Sequence, residues 1–148
     1  YIDYVESKPS FLNNAKRAFS DFVSENNISE NNQILRKLLL KKIQANPDQY
    51  WYDLLSWLYV QQKDYSKAFT QEKALYRRNR ESLNRIMELG LSANQAEETE
   101  VAQDIFGFVL ENSQDIETIL TANLFLLDMR IKNSNKSEYS EVNQSFTG

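Results

Sequence analysis

Across its middle the chain echoes itself without a gap at a spacing of 34 residues. Leu55 returns as Leu89, Gln61 as Gln95 and Ala68 as Ala102. Conservative matches keep the same frame: Ser56 with Gly90, Leu75 with Val109, Tyr76 with Leu110. A helical unit of that period cannot bury its apolar face alone and must stack on a neighbour. The echo therefore predicts an all-α fold, a right-handed superhelix (helical solenoid) of about four antiparallel helix pairs. Composition points the same way. Only 3 Gly and 2 Pro in 148 residues are too few turn residues for a β-rich fold, so long helices with short connections are expected. The length suits a single domain over 1-148.

Other classes fall away on charge and residue type. A net charge of −4 and a pI near 5.0 oppose a nucleic-acid binder, which needs clustered positive charge. With no His and no Cys there is no Ser-His-Asp chemistry, no thiol nucleophile, no disulfide and no Cys- or His-based metal site. No cofactor motif stands out, and an enzyme is not expected. The longest apolar stretches, Ile34–Leu40 and Ile119–Leu127, are interrupted by polar residues and fall short of the roughly 20 residues a membrane span needs. The first residue is Tyr1 rather than Met, and Ser145-Phe146-Thr147-Gly148 lies inside an apparent helix. Both point to a segment of a longer protein.

Helical periodicity and capping residues divide the chain into eight expected helices. Ser10 can cap the first, which carries Phe11, Ala15, Ala18, Phe19, Phe22 and Val23 and ends at Asn26-Asn27. Ser29 caps a second, with Ile34, Leu35, Leu38, Leu39 and Ile43 on one side and Arg36, Lys37, Lys41 and Lys42 around it. Asn46-Pro47-Asp48 reads as the start of a third helix, with Asn46 as cap. Asp64 caps a fourth that runs to Arg78. The fifth covers roughly 82–94 and the sixth roughly 98–111. Ser113–Asp115 cap a seventh, which the polar run Asn133–Ser137 is expected to break before a truncated eighth begins near Glu138. The resulting hairpins cover about 10-45, 47-78, 82-112 and 115-148.

The third to sixth helices resemble tetratricopeptide repeats. In the family's order of large, Leu, small, medium, aromatic, Ala, aromatic and small residues, one unit reads Ile86, Leu89, Gly90, Ala93, Thr99, Ala102, Phe106, Val109. The unit before it reads Tyr52, Leu55, Ser56, Tyr59, Tyr65, Ala68, Glu72, Leu75. Glu72 stands where an aromatic belongs, Thr99 replaces the usual Tyr, and Val109 is larger than Ala. The pattern covers about half the chain, which is similar to internal segments of long bacterial repeat proteins. Proteins of that kind are interaction scaffolds.

The resemblance implies a concave groove lined by the first helix of each hairpin, through Tyr50, Asp53, Leu54, Trp57, Val60 and Gln61, then Asn84, Met87, Glu88, Leu91, Asn94 and Gln95. Trp57 is either an anchor in that groove or core against the next hairpin. Asp53 and Glu88 should repel a peptide's terminal carboxylate and favour a neutral or basic partner with an apolar anchor. Lys73, Arg77, Arg78, Arg80 and Arg85 form a basic run, read as cations at a helix C-terminus, with an anionic partner as the alternative. The expected partner is a protein or peptide, with no nucleic acid and no membrane insertion. The alternative is a structural spacer or a module that self-associates end to end.

Overall fold

A computed structural model describes the backbone of residues 12–23, 29–80 and 83–147, with side chains for all of these but Leu12 and 136–147. Among the described residues there are seven helices and no strand. They are α1 Leu12–Ser20, α2 Glu30–Ala45, α3 Gln49–Gln61, α4 Tyr65–Arg78, α5 Leu83–Gln95, α6 Thr99–Asn112 and α7 Ile116–Thr147. The all-α class expected from the echo is what forms. Contacts group the chain into two compact units, 1–89 and 90–148.

The echo extends to the backbone. α5 repeats α3, and α6 repeats α4, with both ends displaced by 34 residues. The turns match as well. Asp64 N–H donates to the Tyr59 carbonyl and Lys63 N–H to Val60, as Glu98 does to Ala93 and Glu97 to Asn94. These two bonds make a Schellman ending, whose penultimate residue must be left-handed. Glycine usually takes that place, but here Lys63 (φ 58°) and Glu97 (φ 62°) adopt it.

Capping explains most helix starts. Ser29 accepts from Asn32 N–H, and Asp64 accepts from Lys67 N–H. Asp115 accepts from both the Thr118 N–H and its hydroxyl, which together hold the Asp115 carboxyl below its ordinary pKa. The third helix differs from expectation. Asp48, not Asn46, is its N-cap; Asn46 ends α2, its N–H bonded to the Lys42 carbonyl. Pro47 disfavours a helical conformation at Asn46, so it separates the two helices instead of opening the second. The Ser10 cap and the Asn26-Asn27 ending fall outside the described residues.

A larger correction concerns the last hairpin. The backbone stays helical from Ile116 to Thr147, 32 residues, so a single helix stands where a hairpin over 115-148 is expected. Asn133–Ser137 contains no Gly or Pro. Asn and Ser are only about 0.5 kcal/mol per residue poorer than Ala inside a helix, too little to break one.

In the first unit α3 packs on α4, α2 and α1. Trp51, Leu54, Leu55, Leu58, Ala68 and Leu75 are fully or almost fully buried. The basic run does more than the dipole reading assigned to it. Arg78 lies over Tyr52 and donates to the Pro47 carbonyl, Arg80 lies over Tyr76, and Lys73 sits 4.4 Å from the Phe69 ring centre. In the second unit α6 packs on α7 around Ala102, Ile105, Phe106, Val109, Ala122 and Met129. A β-carbon placed on Gly90 would lie 2.8 Å from Ile105 Cγ2 and 3.0 Å from Phe106 Cε1. The small place of the repeat is thus small because α6 presses against it.

Candidate functional site

In the first unit, α3 carries the residues around which a site is built. Its face towards α1 and α5 places Asp53, Ser56, Trp57 and Val60 in successive turns. Lys16 comes from α1, Glu72 from α4, and Arg85, Glu88 and Leu89 from α5. Together these nine residues line a shallow cleft of about 200 Å³.

An ion network forms its floor. Lys16 Nζ lies 2.6 Å from Asp53 Oδ1, and Arg85 Nη1 lies 3.0 Å from Asp53 Oδ2. Arg85 also grips Glu72 with two parallel bonds, Nη2 to Oε1 at 2.8 Å and Nε to Oε2 at 3.1 Å. Two cations and two buried carboxylates balance, with planar, bidentate geometry of the kind that makes Arg–carboxylate pairs strong. Burial pushes the Asp53 carboxyl up, but the bonds and charges of Arg85 and Lys16 outweigh it and hold its pKa below the ordinary value. Burial pushes Arg85 down, and Glu72 and Asp53 more than reverse that. No buried polar side-chain atom among the described residues lacks a hydrogen-bond partner.

The residues expected to line a groove fare unequally. Asp53 and Leu54 are buried; Tyr50, Trp57, Val60, Met87 and Asn94 are half-buried; Gln61, Asn84, Glu88, Leu91 and Gln95 are exposed. The cleft gathers Asp53, Trp57, Val60 and Glu88 from that set. Leu91, Asn94 and Gln95 belong to the second unit, where Asn94 joins Glu97, Thr99, Met129, Lys132 and Asn133 around a separate polar cleft of about 230 Å³.

One electrostatic expectation is corrected. Asp53 is expected to repel a carboxylate, yet Lys16 and Arg85 neutralise it, which leaves Glu88 as the exposed acid of the cleft. Arg85 and Glu72 carried a legible signal. Arg85 stands 34 residues after Trp51, and Glu72 stands 34 before Phe106. Two charged residues of opposite sign at places otherwise apolar are the mark of a pair.

Chemically the cleft offers an indole, a Val side chain and one free carboxylate. Its other charges are engaged with each other. Among the described residues no three metal-ligating side chains come together, and no helix is long and apolar enough to cross a membrane. No protein-family model, curated protein or solved structure matches this chain.

Proposed function

We propose that the protein is a non-catalytic interaction scaffold of tetratricopeptide-like helix pairs, which binds a peptide or helix of another protein through an apolar anchor placed against Trp57 and Val60. The observation that carries this reading is the 34-residue recurrence of helix bounds and Schellman turns, the signature of a stacked helical-hairpin repeat. Repeats of that kind present extended surfaces and bind with them. A half-buried Trp beside a network of satisfied charges fits an anchor site, since Trp is enriched among residues that dominate binding energy. The absence of His and Cys, and charges paired with each other, favour binding over catalysis. With Asp53 neutralised, the partner's charge is selected by Glu88 alone, so a neutral or basic partner is only weakly preferred.

The two Trp residues make a test possible. Trp51 is fully buried and Trp57 half-exposed, so Trp51→Phe leaves Trp57 as the sole indole reporter. Peptides selected from a random displayed library should share an apolar anchor and shield Trp57 from acrylamide quenching. Trp57→Ala should weaken them about tenfold or more. Selected peptides that bind the Trp57→Ala protein equally well would overturn the reading. The alternative of self-association is favoured by a different feature, the outer face of α7.

A further inference from the structure

Helix α7 is apolar on two faces. One packs on α6, where Ala122 and Met129 are buried and Phe125 stacks on Phe106 at 5.2 Å between ring centres. The other carries Ile116, Leu120, Leu124, Leu127 and Ile131, all between 51% and 72% exposed. Their spacings of four, four, three and four residues form one stripe along just over four turns. Helices with two apolar faces are buried on both, and an exposed stripe of large side chains marks an interaction surface.

We propose that this stripe pairs with its own counterpart on a second copy of the chain, the two α7 helices running antiparallel about a two-fold axis near Phe125. The spacing supports self-pairing. In that register Leu120 faces Ile131 of the second copy and Leu124 faces Leu127, so four consecutive layers are wholly apolar. Charge supports the antiparallel sense. Glu117 and Lys132 lie on the same side of the stripe at nearly equal distances from its centre, both exposed, with Lys132 held to Asp128 of its own helix by an exposed pair at 3.0 Å that it can exchange for Glu117 of the second copy. Reversal of the second helix brings the Glu117 of each copy level with the Lys132 of the other, twice by symmetry. Five large aliphatic side chains per copy, at about 100 Å² each, give roughly 1,000 Å² in total. That is a small interface, so a reversible dimer with Kd on the order of 10–100 µM is expected.

The test uses the full chain. Sedimentation equilibrium from about 5 to 500 µM should show monomer passing to dimer, and Leu124→Lys should raise Kd at least tenfold, with an unchanged circular dichroism melt. Glu117→Lys and Lys132→Glu should each weaken the dimer, and the two together should restore it. The chain has no Cys, so single replacements report distances cleanly. Leu124→Cys lies about 4.5 Å along the axis from its copy and should oxidise to a linked dimer, whereas Ile131→Cys, about 16 Å away, should not. Strict monomer throughout, or a dimer indifferent to Leu124→Lys, would overturn the proposal. Equal linking at both Cys positions would overturn the antiparallel arrangement.

Discussion

Glu72 and Phe106 hold the same place in two helices related by the 34-residue step, yet one is gripped by a guanidinium and the other by a ring. In the first unit α4 is tied to α5 through Glu72 and Arg85. In the second α6 is tied to α7 through Phe106 and Phe125, stacked 10° from parallel. Both residues at that place are buried. The repeat thus specifies a buried place between helices, and either an apolar contact or a fully satisfied ion pair can fill it. The two solutions differ in how they fail. A stack that loses one ring leaves a cavity, whereas an ion pair that loses one partner leaves a charge with nowhere to go.

That comparison is broken most directly at its centre. Phe106→Ala should lower unfolding free energy by about 3–5 kcal/mol, the range for a truncated core aromatic. Arg85→Ala should lower it by about 3 kcal/mol, because Glu72 loses its partner and Asp53 keeps only Lys16. Denaturant titrations followed by far-ultraviolet circular dichroism would read both. Replacing the pair with Glu72→Leu and Arg85→Met should recover most of the Arg85→Ala loss, and a double variant weaker than Arg85→Ala would show that the charges do more than fill the place.

A second difference is in size tolerance. Ala102 is fully buried at the contact of two helices, while Ala96 sits exposed in the turn. Ala102→Leu should destabilise by about 1–3 kcal/mol and Ala96→Leu by almost nothing. Equal denaturation midpoints for the two would contradict the repeat frame.

Acid sharpens the contrast next. The folded Asp53 carboxyl lies below its ordinary value, and an unfolded Asp titrates near about pH 4. The stability it contributes is therefore complete above that pH and lost as pH falls through the lowered folded value. Asp53→Asn should be less stable than wild type at neutral pH and should lose less between about pH 5 and pH 3. The equivalent place in α5 is Met87, which has no charge to titrate. Parallel pH profiles for wild type and Asp53→Asn would remove the network from the account.

The smallest expected effect separates two glycines. Nothing lies within 4 Å of a β-carbon at Gly107, in mid-α6, so Gly107→Ala should stabilise by up to about 1 kcal/mol. At Gly90 the same gain in helix propensity is opposed by the Ile105 and Phe106 side chains. Gly90→Val should lower the midpoint that Gly107→Ala raises.

Local chemistry by itself determined the helices, their period and several of their caps. Ser29 and Asp64 could be named from sequence because a cap needs only one oxygen and the N–H two or three residues on. The apolar places of the repeat were legible for the same reason: Leu55, Ala68, Leu75, Ala102 and Val109 recur at a fixed step and are buried. Where competing local signals were of similar size the reading failed. Asn133–Ser137 looked like a break, but weak helix formers without Gly or Pro continue a helix already under way. The site was legible only in part. Trp57 and Asp53 belong to the cleft, but the basic run concealed that Arg85 leaves it to join Asp53 and Glu72, 32 residues upstream and 13 residues upstream. Tertiary structure decided which charges meet and which apolar stripe of α7 is covered. Both depend on the approach of residues far apart in the chain: the period marks Glu72 and Arg85 as charges at apolar places, but no period or cap brings Lys16 to Asp53 or says which stripe is covered.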